Sequence, residues 1–449
     1  MMETFRNRRV VVLGAGVAGV ASARVLVEAG ANVLVSESRP LEELEYAAGL
    51  RELGVDLGAG GHVPAHLDGA ELVVTSPGVP QDAPVLRWAT ERGVPIWGEL
   101  ELGSRLCRVP YVAVTGTNGK TTTTAMIASC LRAGGLDAIA CGNIGHPFAL
   151  AAREGHEVLV VEASSFQLRF VETFHPHVSV LLNLAPDHLD WHGSEQAYVD
   201  AKANILRAHT PGDVHVGNRD DARAAAVSAG AACPIIWFGL GMPGAGDVGY
   251  VEDQMVSRRS GEDVIGPVDG ERAGFRADAA AAAAASLAFG ASVGAVRRGL
   301  ATFVPARHRG EVVAVVDGVR FVDNSKATNV HATLAALDGV HRAVLIAGGR
   351  AKGVDLSPLR SRADRLTAVV AIGESAPEIG SVFDGVVPVR PAGSIEAATE
   401  VALALASRPG TVLLAPACAS WDMFRDYAER GDRFTAAARA LMEEVGAHG

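Results

Sequence analysis

YVAVTGTNGKTTTTAM, Tyr111 to Met126, decides the fold. An apolar run, Tyr111–Thr115, enters a turn holding Gly116 and Gly119 and leaves it through Lys120 and a run of threonines. The common phosphate loop, G-x-x-x-x-G-K-[ST], is not met, because Val114 stands where its first glycine belongs. The physics of anion binding survives the shorter G-x-x-G-K-T spacing. Successive backbone N–H groups between a strand and a helix form an anion nest, and the helix dipole adds to it. Lys120 suits β- and γ-phosphates, and the Thr121 hydroxyl suits Mg²⁺. Threonines Thr121–Thr124 make a poor helix start without a ligand.

The same rhythm of short apolar run and helix-compatible stretch extends in both directions. Val10–Gly14, Ala31–Ser36, Glu71–Ser76, Glu157–Glu162 and Val178–Leu182 read as buried strands. A later set comprises Glu311–Val316, Arg320–Val322, Ala343–Ala347, Ala368–Ile372 and Val412–Ala415. The class is α/β with mainly parallel sheets, in which ligands gather at the carboxyl ends of strands. At roughly 150 residues per domain, the chain divides into about three. Gly98–Pro110 and Ala301–Gly310 read as linkers, giving domains at 1–105, 106–306 and 307–449. The first and third are expected to be Rossmann-like and the second a P-loop-type ATPase. Gly239–Arg276 reads as short strands and loops, and the alanine run Ala279–Ala285 as a packed helix.

Composition excludes several classes. A net charge of −11 with no basic block argues against nucleic-acid binding. The five cysteines are scattered without a C-x-x-C pair, as reduced thiols of a cytoplasmic protein would be. MMETFRNRR followed by VVVLGAGVAGV and ASA imitates an export signal, but glycines interrupt the apolar run and Arg24 follows at once. No run reaches the ~20 apolar residues of a membrane span.

That N-terminal stretch carries GAGVAG, with Gly14, Gly16, Val17 and Gly19 after a strand and before a helix, and Glu37 closing the next strand. This is the dinucleotide fingerprint in its proper context. It is compatible with the diphosphate of NAD, with that of a UDP-sugar, or with a turn needed only for helix–strand packing.

The phosphate loop TGTNGKT, VEASSFQL (Val161–Leu168), NLAPDHLDWHGSEQAYVDAKANIL (Asn183–Leu206), DNSKATN (Asp323–Asn329), GGRAKG (Gly348–Gly353) and APACASWDMF (Ala415–Phe424) occur in one order. With TSPGVP (Thr75–Pro80) and GNIG (Gly142–Gly145), they resemble the Mur ligase family over essentially the entire chain. The likeness is strongest to members that add D-glutamate to UDP-N-acetylmuramoyl-L-alanine. It implies a monomeric ATP-dependent amide ligase of peptidoglycan precursor synthesis. Such an enzyme works through an acyl phosphate, with Mg²⁺ (two ions) and domain closure. Gly116, Thr117, Asn118, Gly119, Lys120, Thr121 and Thr122 would hold the nucleotide phosphates. Thr121, Glu162, His188 and a carbamylated Lys202 would serve the metal ions; Lys202 read alone is a helix-surface lysine. Gly14, Gly16, Val17, Ser76, Pro77 and Gly78 would meet the substrate diphosphate, and Glu37, Ser38 and Arg39 the uracil end. Asn143 would touch the substrate carboxylate or phosphate, and Ser164 joins the substrate set. His308 and Arg309 match the family's H-R pair, Arg309 reaching the γ-phosphate. Lys326, Thr328, Lys352, Ser420 and Tyr427 would bind the amino acid.

The chain departs from the family at two places. GFRADAAAA, with Phe275, Arg276 and Ala279, replaces an asparagine-bearing element that touches adenine, so Arg276 is read as stacking on the base. Asn324 replaces an aspartate, which weakens the ribose contact there or shifts it to Asp323. A Mur-type paralogue with another amino acid or acceptor, a non-catalytic nucleotide-binding regulator and an NAD-dependent oxidoreductase are the alternatives.

Overall fold

The computed structural model describes residues 5–259, 261–268 and 273–448. Three sheets follow one another along the chain. The first holds β1 (Arg9–Leu13), β2 (Asn32–Ser36), β3 (Asp56–Gly58), β4 (Leu72–Thr75) and β5 (Ile96–Gly98), all parallel, in the order β3-β2-β1-β4-β5. The second holds β6 (Tyr111–Thr115), β7 (Ala138–Gly142), β8 (Val158–Glu162), β9 (Val178–Leu181), β10 (Val214–Asn218), β11 (Ile235–Phe238), β12 (Val248–Val251), β13 (Gln254–Ser257) and β14 (Asp263–Pro267). Its order is β14-β13-β12-β11-β10-β9-β6-β8-β7, antiparallel only where β12, β13 and β14 pair. The third holds β15 (Glu311–Val316), β16 (Val319–Asp323), β17 (Ala343–Gly348), β18 (Leu366–Ile372), β19 (Val389–Pro391) and β20 (Gly410–Leu414), in the order β15-β16-β20-β17-β18-β19. Only β15–β16 is antiparallel there.

Two compact units result: one contains the first two sheets, and the other contains residues from Val304 onward together with Ala185–Asp190. The expected strands appear within a residue or two, β6 and β15 at the predicted limits. Part of Gly239–Arg276 lies outside the described residues; the rest supplies β12, β13 and β14.

The central strands are apolar on both faces because helices cover both, so they read as continuous runs rather than alternations. Ala279–Ala285, in the helix Ala273–Phe289, is buried at every position. It shares one apolar cluster with Val112, Ile127 and Val180. A helix buried all round needs small side chains wherever backbones approach closely, which alanine provides without loss of helix propensity. Gly299 meets the same demand: a Cβ there would lie 2.4 Å from Cys130 Cα.

Parallel order puts the functional loops at the carboxyl ends of strands. β6 lies between β8 and β9, so the phosphate loop opens between their two ends. β1 likewise lies between β2 and β4, and β20 between β16 and β17. Such crevices are where ligands bind in doubly wound sheets.

Candidate active site

The phosphate loop leaves β6 through Gly116 and enters the helix Lys120–Ala133 through Gly119, whose φ of 85° demands glycine. Asn183, just past β9, clamps the loop. Its carbonyl accepts from Thr117 N (2.9 Å), its Oδ1 from Asn118 N (2.8 Å), and its Nδ2 donates to Asn118 O (3.1 Å). Lys120 Nζ folds back onto the carbonyls of Gly116 and Thr117, both at 2.9 Å. Thr121 is partly exposed at the helix start, while Thr122 turns into the protein.

Glu162 ends β8 and is 2 % exposed. Its Oε1 accepts from Asn143 Nδ2 at 2.7 Å, and its Oε2 is buried without a hydrogen-bond partner. A buried carboxylate oxygen left unpaired is costly unless a cation completes it. Among the described residues no three of His, Cys, Asp and Glu converge on a metal position. Mg²⁺ takes one or two protein oxygens and fills its octahedron with water and phosphate.

Lys202 is not a surface lysine. It is 1 % exposed, donates to Gly116 O at 2.7 Å and lies 4.8 Å from the Tyr198 ring centroid. Tyr198 Oη meets Thr117 Oγ1 at 2.9 Å, so the helix Glu195–Ala203 supports the loop at two points.

Around the N-terminal glycine turn, each glycine has its own reason. Gly14 has φ 91°, and a Cβ on Gly19 would strike Gly14 O at 1.9 Å. A Cβ on Gly16 would meet open space, and Gly16 caps the helix Val17–Glu28 with no side-chain hydrogen bond. Packing explains Gly19 but not Gly16, whose small size leaves the helix N-terminus open to an anion. Ser76 Oγ, buried without a hydrogen-bond partner beside Gly14, is a donor available there. Pro77 and Gly78 follow it on the same loop after β4, and Gly78 is exposed.

Several expected contacts are corrected by side-chain geometry. Both Glu37 oxygens are taken: Oε2 by Ala15 N (2.8 Å) and Arg39 Nη2 (3.0 Å), Oε1 by Ser38 Oγ and Arg39 N (3.0 Å each). Burial works to raise its pKa, but Arg39 and the surrounding donors bring it down to about 2. Glu37 and Ser38 therefore hold the glycine turn rather than a uracil. Ser164 caps the helix Ser165–Leu168 in a reciprocal box with Gln167, so its hydroxyl is not presented to substrate. Arg276 does not stand ready for a base: it stacks on Tyr250 (4.2 Å) and bonds Asp253 (3.2 Å). Asp278, two residues further along that helix, faces the loop: a Cβ on Gly119 would lie 2.0 Å from its Oδ1. Sequence reading missed Asp278 and Asn183, although both lie beside motifs already noted.

In the second unit, Asp187 is 4 % exposed and forms a buried ion pair with Lys352, while Asn329 Nδ2 donates to its Oδ2 at 3.1 Å. Burial would raise its pKa; Lys352 and His188 outweigh that and hold it below the usual carboxylate range. His188 has φ 54° and donates its backbone N–H to Asp187 Oδ1 at 2.9 Å. Lys352 is thus committed to Asp187 rather than open to an amino acid. Asp323 is fully buried: its Oδ2 lies 2.6 Å from His308 Nδ1 and accepts from Thr435 (3.3 Å), and its Oδ1 accepts from Ser325 N (2.9 Å). This excludes Asp323 from a ribose contact and makes it and His308 supports. Asn324 and Arg309 remain partly exposed. Lys326 Nζ sits 3.6 Å from the Tyr427 ring centroid, Thr328 follows in the same loop with its N–H on Lys326 O (2.9 Å), and Ser420 is buried past β20.

Comparison with known proteins decides the family. Residues 8–98 match the MurD-like N-terminal domain of Mur ligases, 114–266 the Mur ligase middle domain, and 308–418 the glutamate ligase domain. The UDP-N-acetylmuramoylalanine–D-glutamate ligase of Frankia casuarinae is 44% identical, covering 96% of this chain and 94% of that protein. The chain belongs to the Mur ligase family. Ligases of the same name from Thermobifida fusca and Geobacillus kaustophilus are 42% and 39% identical to this Mur ligase. They cover 97% of it each, and it covers 99% and 98% of them. Its fold matches a pseudomurein peptide ligase type C from Methanothermus fervidus (TM-score 0.63, 21% identity, 98% and 100% coverage). It also matches the MurF ligase from Thermotoga maritima in complex with ADP (TM-score 0.61, 16% identity, 99% and 100% coverage). Among the described residues, no helix of this Mur ligase is long and apolar enough to cross a membrane.

Proposed function

We propose that this Mur ligase uses ATP to join D-glutamate to UDP-N-acetylmuramoyl-L-alanine in peptidoglycan precursor synthesis. A carboxylate is a poor electrophile, so an oxygen of the alanine carboxylate first takes the γ-phosphoryl group, and ADP departs. The glutamate nitrogen then attacks the acyl carbon, loses a proton and displaces phosphate, leaving an amide. Orientation of such reactants contributes roughly 7–11 kcal/mol.

The observation that carries the reading is Glu162 Oε2, a buried carboxyl oxygen without a hydrogen-bond partner at the strand end beside the phosphate loop. We assign Glu162 and Thr121 to a Mg²⁺ ion and His188 to a second. When bound, Mg²⁺ would neutralise phosphate charge as the carboxylate approaches. The loop N–H groups and Lys120 hold the phosphates, and Asn143 fixes the orientation of Glu162. Gly16 and Ser76 face the substrate diphosphate, and Lys326, Thr328, Ser420 and Tyr427 receive glutamate.

Lys202 is the candidate for carbamylation. Its Nζ is buried and reaches the Gly116 carbonyl beside the phosphate loop, where addition of CO₂ with loss of a proton would give a carbamate. The carbamate keeps one N–H for the Gly116 carbonyl and turns a cation into an anion suited to orienting Mg²⁺.

The test is phosphate release with UDP-N-acetylmuramoyl-L-alanine, ATP and a panel of amino acids. Release is expected with D-glutamate and Mg²⁺ together; none under those conditions overturns the proposal.

A further inference from the structure

Arg430 is the largest side chain with no exposure among the described residues, and it has a function to explain. It lies on the helix Tyr427–His448 in the second unit. Its Nε donates to Ser325 Oγ (3.0 Å), Nη2 to Ser325 O (2.9 Å) and Nη1 to Cys418 O (3.2 Å). Ser325 Oγ in turn donates to Tyr427 O at 2.7 Å. One guanidinium therefore grips the loop after β16, which carries Lys326 and Thr328, and the loop after β20, which carries Ser420.

None of those three acceptors is a carboxylate. Burial pulls the Arg430 pKa down to about 10, with longer-range attraction from the carboxylates of Asp422 and Asp323 opposing it. A brace alone would not need a full charge. Neutral donors would hold two carbonyls at less desolvation cost. The helix is also fitted closely here: a Cβ on Gly431 would lie 2.2 Å from His308 Nδ1.

We propose that Arg430 is a positioning residue for the amino-acid substrate. It sets the spacing of the two loops that present Lys326, Thr328, Ser420 and Tyr427, and its charge adds to the positive potential that a dicarboxylate meets there. This rests on the assignment of those loops to glutamate. A lysine at this position keeps the charge but not the planar fork that reaches both loops.

The test combines kinetics with hydrogen exchange on the full-length enzyme. Arg430→Met is expected to raise KM for D-glutamate about tenfold or more while KM for ATP stays within about twofold. Arg430→Lys should fall between it and wild type, and guanidinium in the buffer should partly restore Arg430→Gly. Ser325→Ala, which removes the Nε acceptor and the hydroxyl's bond to Tyr427 O while leaving the Nη2 and Nη1 contacts, should raise KM for D-glutamate about threefold; it decides the matter if the Arg430 variants do not fold. Exchange should quicken together at residues 324–329 and 417–420 in folded variants. Equal changes in both KM values, no change in either, or faster exchange confined to the helix overturns the proposal. If wild-type enzyme ignores D-glutamate, the functional reading falls, and the two-loop exchange signature still judges the positioning role.

Discussion

Glu162 and Lys202 are buried ionisable groups beside the same loop, and each has a distinct expected response. Replacing Glu162 by Gln removes the charge that the unpaired Oε2 offers to Mg²⁺ while preserving size and the Asn143 contact. Phosphate release is expected to fall by about 10²–10³, the scale for loss of one electrostatic stabiliser, with the Mg²⁺ concentration for half-maximal rate rising; an unchanged Mg²⁺ requirement refutes the assignment. Lys202→Ala should abolish activity and recover part of it with added acetate or formate, measured as initial rate against carboxylate concentration. Absence of recovery in a folded variant counts against the carbamate. Glu37 acts on stability. Its folded pKa, about 2 against 4.5, is depressed, so its contribution is present above pH 4.5 and lost as pH falls toward 2. The melting-temperature gap between wild type and Glu37→Gln should shrink across that window; a constant gap contradicts the role given to its hydrogen bonds.

At the scale of elements, the two helix N-termini that follow β1 and β6 are built by glycines with separable duties. Gly16→Ala enters open space and should cost under about 1 kcal/mol of stability, yet raise KM for the UDP-linked substrate. Gly19→Ala pushes into Gly14 O and should destabilise the protein itself. Thermal melts beside substrate titrations separate the two, and identical behaviour would return the glycine turn to a packing role alone. Much of this was readable beforehand, because strands buried on both faces leave long apolar runs and the glycines mark where each ends. What could not be read is which polar group is already spent. Ser164 looks available until Gln167 is seen to close its capping box, and Glu37 until Ala15 N is seen to reach it over a separation of 22 residues. Arg430 meets Ser325 across 105 positions, a pairing that no local pattern announces. Asp278 stands immediately before the alanine run that gave the helix away.

For the whole molecule, the phosphate loop lies in the unit that holds the first two sheets, and the residues assigned to the amino acid lie in the other. Wild-type enzyme should therefore bind ATP in calorimetry without D-glutamate, and Arg430 variants should retain that binding at wild-type affinity. Loss of nucleotide binding in a folded Arg430 variant would show that the division of labour is drawn in the wrong place.

The alanine helix behind the phosphate loop has a thermodynamic corollary. A methyl group has no rotamers to surrender, so immobilising Ala279–Ala285 adds nothing to the entropy lost by side chains on folding. By the same token, that wall cannot reshuffle to absorb an intruder. A single enlargement such as Ala282→Leu should destabilise by about 1–3 kcal/mol, and the displaced backbone would be felt first as weakened affinity for ATP.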